Sequence, residues 1–152
     1  MHPRQSRIPH HWLIVADLPD KGMWVALRRL RRGSGVLVLV ELTAKDRRRL
    51  RHLATSRELT VAIESARAAA RVHNVRELRH ALLARTPLIL LSPLYPTRSH
   101  PDWQPLPRMR AAALARLGSR RVLALGGMDA RKFPRIRRLG FQAWAGISAF
   151  KT

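Results

Sequence analysis

Residues 88–100 read LILLSPLYPTRSH. Leu88, Ile89, Leu90 and Leu91 form an apolar run without polar alternation, the pattern of a strand buried on both faces in a parallel sheet. Prolines 93, 96, 101 and 105 exclude a helix directly after it. Between them stand Thr97, Arg98, Ser99 and His100, four hydrogen-bonding side chains in a row. In α/β folds, ligands bind in the loops that follow the carboxyl ends of the strands. A rigid polar loop in that place is therefore a candidate site.

Six further short apolar runs flank this one, at Trp12–Ala16, Gly35–Glu41, Leu59–Ile63, Ala70–His73, Arg121–Leu125 and Ala143–Ile147. The segments between several of them have helical spacing. Met23, Leu27 and Leu30 are spaced four and three apart. Thr43 with Asp46 resembles a capping box before Leu50 and Leu53, and Asn74 with Glu77 repeats it before Leu78, Leu82 and Leu83. Asp129 is positioned to cap a helix carrying Phe133, Ile136 and Leu139, which Gly140 ends. This alternation predicts an α/β fold, either an open doubly wound sheet or a (β/α)8 barrel. No long linker divides the chain, so residues 1–152 read as a single domain.

Composition narrows the setting. The chain has no cysteine, which excludes disulfides and thiolate metal sites and makes a reducing cytoplasm the expected location. No apolar run approaches the roughly 18–20 residues of a membrane span, and the stretch from Trp12 to Ala16 is too short for a secretory signal. The net charge is +21, carried by 26 arginines and only 4 lysines. The clusters Arg28-Arg29 with Arg31-Arg32, Arg47-Arg48-Arg49 with Arg51, and Arg131 to Arg138 fall on separate expected helices, where solvated outer faces explain them. Such a surface attracts phosphorylated small molecules and, nonspecifically, nucleic acid. With 8 aromatic residues and no cluster of them, no stacking platform for bases is evident.

Three strand ends carry anion-binding chemistry: SPLYPTRSH after the run at 88–92, Gly126-Gly127-Met128 after 121–125, and Ser148 after 143–147. Hydroxyls beside backbone N–H groups freed by glycine suit a phosphate. Each alone reads as a turn. Together on successive strands they point to one anion site.

SPLYPTRSHP (92–101), ALGGM (124–128) and WAGISAF (144–150) resemble, in order and spacing, the thiamine phosphate synthase and TenI-like family. HWLIVAD (11–17) resembles that family's first strand, and RVHNVREL (71–78) its histidine-bearing fifth strand. The resemblance implies a TIM barrel with a thiazole-phosphate pocket formed after strands six, seven and eight. It places Thr97 and Ser99 on the loop hydroxyls that contact substrate, and His100 where a lysine is usual. Gly126 and Gly127 fall where backbone N–H groups meet the phosphate, and Ile147 with Ser148 add to them from the last strand. The implied reaction joins hydroxymethylpyrimidine diphosphate to thiazole phosphate, with magnesium assisting the departure of pyrophosphate.

The sequence departs from that pattern. The second strand, GVLVLVEL, is apolar where the family holds pyrophosphate, and Glu64 is the sole acidic residue between Glu58 and Glu77, so magnesium ligands are not evident. Residues 64–70 (ESARAAA) are too few for a helix, a strand and their turns. Only two residues follow Phe150, so the last helix is expected to be absent. The expectation is a shortened (β/α)8 TIM-barrel type lacking the fourth-strand region and the last helix, with a homodimer as one way to complete it. Arg71 and Arg98 are the basic residues positioned to replace the lost cationic clamp. Three functions stay open: the synthase; a TenI-type thiazole tautomerase, in which His73 acts as general acid or base; and a non-catalytic thiazole-phosphate binder or basic nucleic-acid-binding protein.

Overall fold

Each of the seven apolar runs forms a strand. The computed structural model describes residues 8–64, 68–98, 100–118 and 121–147. In chain order the elements are β1 (His11–Val15), α1 (Lys21–Arg29), β2 (Gly35–Val38), α2 (Ala44–Arg57), β3 (Thr60–Ile63), β4 (Ala69–Val72), α3 (Val75–Leu83), β5 (Leu88–Leu91), α4 (Arg108–Gly118), β6 (Val122–Ala124), α5 (Phe133–Arg137) and β7 (Ala143–Gly146). Most strands end sooner than their apolar runs. The second stops at Val38 rather than Glu41 because Val38 aligns with Val15 and Ile63, the last residues of its two partner strands.

The strands form one parallel sheet in the order β3-β2-β1-β7-β6-β5-β4. Pairing of β7 with β1 brings the chain's last strand back to its first, as in a barrel. Alternate residues point to opposite faces. Trp12, Ile14, Leu37, Ala69, Leu88, Leu90, Leu123, Ala143 and Ala145 share one buried interior, while the intervening residues pack against helices in two outer clusters. The sheet is thus curled into an open barrel of the TIM type, with β3 and β4 as its edges. Five residues separate Ile63 from Ala69, whereas a parallel crossover needs about a dozen or more. The sheet accordingly runs from β3 to β4 as its two ends, and among the described residues neither edge has a further strand partner. The expected absence of the last helix concerns residues outside those described.

Gly35 shows how so small a barrel is filled. A Cβ on it would come within 2.1 Å of the Trp12 ring. Glycine lets that indole lie across β2 inside the barrel, where its Nε1 donates to the Pro9 carbonyl at 2.8 Å.

The helices begin where their caps predict. Asp46 N donates to Thr43 Oγ1 at 3.1 Å, and Thr43 Oγ1 donates to Asp46 Oδ2 at 2.8 Å. Asn74 Oδ1 accepts from Glu77 N at 2.9 Å. Asp129 differs from expectation. Its Oδ1 accepts from the N–H groups of Arg131 and Lys132, so it caps a turn that leads into the five-residue α5. That helix ends at Arg137, before Leu139, because Leu139 and Gly140 close a tighter turn on Ile136 and Arg137.

Candidate functional site

The carboxyl ends of β5, β6 and β7 lie side by side, since these strands are successive neighbours in the sheet. The loop after β5 folds over the loop after β6. Leu94 N donates to Leu125 O at 3.0 Å, and Tyr95 N donates to Gly126 O at 3.1 Å. Gly126 and Gly127 have φ values of +96° and +60°, which disfavour side chains. Space requires glycine too: a Cβ on Gly127 would stand 2.4 Å from Pro96 O, and one on Gly126 2.9 Å from Pro93 Cα. Neither glycine N–H is used in a backbone hydrogen bond among the described residues. Lys132 adds a cation, its Nζ donating to Gly127 O at 2.6 Å and lying 4.9 Å from the Tyr95 ring centre.

Thr97 is half-buried on this loop and already has a partner, whereas Arg98 and His100 are exposed. Ile147 packs at the rim of the interior cluster, directly after β7. Ser99 and Ser148 lie outside the described residues. The Gly126-Gly127 turn and the loop bearing Thr97 are therefore together.

Arg71 on β4 and His73 just after it share the alternation of Ala69, which joins the interior cluster; Arg71 is exposed at the open edge and His73 is half-buried. Arg71 Nε donates to Glu64 Oε1 at 3.1 Å, an ion pair that links the two unpaired edges of the sheet. His73 is held on three sides. Its backbone N–H donates to Glu77 Oε2 at 2.6 Å, its ring meets Trp103 edge-on at 5.4 Å, and its Nδ1 lies 2.9 Å from the Ser92 carbonyl. A carbonyl only accepts, so that contact calls for a proton on Nδ1, and in the neutral ring the lone pair is then on Nε2. Ser92 Oγ stands 3.3 Å from the same nitrogen. Trp103 in turn stacks on His100 at 4.2 Å.

Ser92, Trp103 and Lys132 are given no individual role by the sequence, although Ser92 opens the SPLYPTRSH stretch and Lys132 lies in the basic cluster from Arg131 to Arg138. Strand alternation offers a signal for Ser92, which shares the inward parity of Leu88 and Leu90. Lys132 is one of only four lysines. Trp103 offers none beyond being an aromatic in a proline-rich loop.

Magnesium requires oxygen donors, chiefly carboxylates. Among the described residues no group of three His, Asp or Glu side chains could hold a metal ion, and Glu64 is paired with Arg71. This donor set does not fit a magnesium ion. The arginine clusters on α1 and α2 are exposed on separate helices, as expected of solvated faces. No helix among the described residues is long and apolar enough to cross a membrane.

An open parallel βα barrel whose last strands end in interlocked glycine and proline loops defines a TIM-barrel-type protein. Residues 61–150, more than half of the chain, match the family model described as thiamine monophosphate synthase, and the chain belongs to that family. Two solved structures share the fold. A thiamine phosphate pyrophosphorylase from Pyrococcus furiosus is 13% identical, with a TM-score of 0.72, over 97% of this chain and 89% of that one. Another, from Bacteroides thetaiotaomicron, is 14% identical, with a TM-score of 0.59, over 93% of this chain and 83% of that one. No curated protein matches the sequence. Family and fold together support a role in thiamine biosynthesis.

Proposed function

We propose that this chain is a thiamine phosphate synthase-like transferase that holds thiazole phosphate on the loops after β5, β6 and β7. The observation that carries this reading is the interlock of the Pro93–Pro96 segment with the Gly126-Gly127 turn. It fixes two glycine N–H groups, with Lys132 and Thr97 close by, at the carboxyl end of the sheet. Charge-assisted hydrogen bonds of this kind are the stronger ones. In the reaction the thiazole nitrogen bonds to the exocyclic methylene carbon of the pyrimidine, the carbon–oxygen bond breaks, and pyrophosphate carries away the electron pair. The charge developing on that leaving group needs cations. Arg71 and Arg98 are the residues assigned to it, because a guanidinium meets phosphate with two hydrogen bonds.

A second reading rests on His73. With Nδ1 donating to Ser92 O, Nε2 is available to take a proton. A thiazole tautomerase needs one such base and a phosphate anchor, and no second substrate.

One set of assays separates the two readings. The parent is expected to condense the pyrimidine diphosphate with thiazole phosphate, and changing Arg71 and Arg98 together to Met should lower kcat/KM by about 100-fold. His73→Asn should change condensation only a few-fold. If the double variant condenses at the parent rate, the arginine assignment is wrong. If the parent only isomerises the thiazole carboxylate phosphate and His73→Asn stops it, the protein is a tautomerase.

A further inference from the structure

Every strand of the sheet except β3 has its outer face packed into a helix-covered cluster. In β3, Ala62 joins the interior cluster, so Val61 and Ile63 point outward, and they are 37% and 57% exposed. The cause is topological. Only five residues separate β3 from β4, too few for a helix together with the turns on either side of it, such as follows β1, β2, β4, β5 and β6. Beside α2 this leaves a cleft of about 570 Å³, floored by Val40, Leu50, Leu59, Val61 and Ile63. Arg47 and Arg51, one helical turn apart on α2, line the cleft on one side. Glu64 lines the other, with its charge offset by Arg71. Glu41 adds a single carboxylate.

We propose that this cleft is a docking groove for an amphipathic helix of a partner protein, one with an aliphatic stripe and with carboxylates on the flank that meets α2. The groove lies where a barrel helix would pack, between an adjacent helix and the outer face of a strand. Its floor is aliphatic, which suits recognition through side chains at positions i, i+3, i+4 and i+7. Its α2 side is cationic. A second copy of this chain is the poorer occupant, because α1 to α5 all carry arginines and the protein's net charge is +21. Docking of like-charged helices against Arg47 and Arg51 is repulsive.

Fluorescence anisotropy with two synthetic helical peptides of about 15 residues tests the groove at physiological salt. Both peptides carry the same leucine stripe, flanked by glutamates in one and by lysines in the other. The acidic peptide should bind about tenfold or more tightly than the basic one. Ile63→Glu and, separately, Arg51→Glu should each weaken it by about tenfold. Both positions are exposed, and circular dichroism checks that the variants fold. Equal binding by parent and Ile63→Glu overturns the proposal, since that is nonspecific attraction to a basic protein. Failure of the acidic peptide to bind overturns it as well. A dimer seen by light scattering and abolished by Ile63→Glu would give the groove to a second copy, and also contradict the proposal.

Discussion

β2 and β5 are both four-residue, fully buried apolar strands of one parallel sheet. After β2 the chain continues with Leu39, Val40, Glu41 and Leu42, largely aliphatic residues that line a cleft beside α2. After β5 it continues with Ser92, Pro93, Leu94, Tyr95, Pro96 and Thr97, which orient His73 and lock onto the Gly126-Gly127 turn. The same strand chemistry therefore serves two different purposes. Burial explains both strands equally, and only the residues beyond the strand ends distinguish the half that lines the cleft from the half that carries the proposed site. The family match follows the same division, since it begins at Val61 and leaves β1 and β2 outside.

The sharpest contrast should appear in packing. Phe141 is fully buried in the helix-covered cluster outside β4 to β7, whereas Leu50 borders the open cleft. Phe141→Ala should cost about 3–5 kcal/mol and Leu50→Ala nearer about 2 kcal/mol, because neighbours and water can relax into the second site. Urea denaturation measures both. Equal losses would mean that the cleft side is packed as firmly as the site side.

A smaller effect separates two glycines of positive φ. Gly127→Ala meets Pro96 O in addition to an unfavourable backbone conformation, and should cost about 2–3 kcal/mol. Gly33 lies in the other half with φ +77° and nothing within 4 Å of an added Cβ. Gly33→Ala should therefore cost about 1 kcal/mol. If the two variants melt together, the interlock of the β5 and β6 loops is not tight.

The smallest effect lies at the opposite end of the barrel. Burial lowers the pKa of His11 below 6.5, and Arg31 and His10 lower it further. Below about pH 6.5 the unfolded chain takes up a proton that the folded chain resists. Its contribution to stability is present above that pH and is lost as the pH falls through the folded value. A modest fall in the denaturation midpoint on acidification should flatten in His11→Gln, and an unchanged slope would remove His11 as its cause.

The strands were readable in the sequence because burial on both faces leaves continuous apolar runs. The caps at Thr43 and Asn74 were readable because their partners lie three residues away. α4 was not. Its buried side is largely Ala111, Ala112 and Ala115, while Met109 and Leu117 face solvent, so hydrophobic periodicity does not mark it. In the site, the glycine turn and the Thr97 loop are local signals. The contacts of His73 with Ser92 and Trp103 join separate strand ends, and the pairing of Glu64 with Arg71 depends on how the open edges approach. Each residue is visible in the sequence, but their meeting is a property of the curled sheet.

Calorimetric titration of the protein with thiazole phosphate, and separately with the unphosphorylated thiazole alcohol, tests most directly whether the loops after β5 to β7 form a phosphate-anchored site. Thiazole phosphate should bind at least about tenfold more tightly, a difference of about 1.4 kcal/mol, and Gly127→Ala should remove that preference. Equal affinity for the two ligands, or a preference that survives in Gly127→Ala, would contradict it.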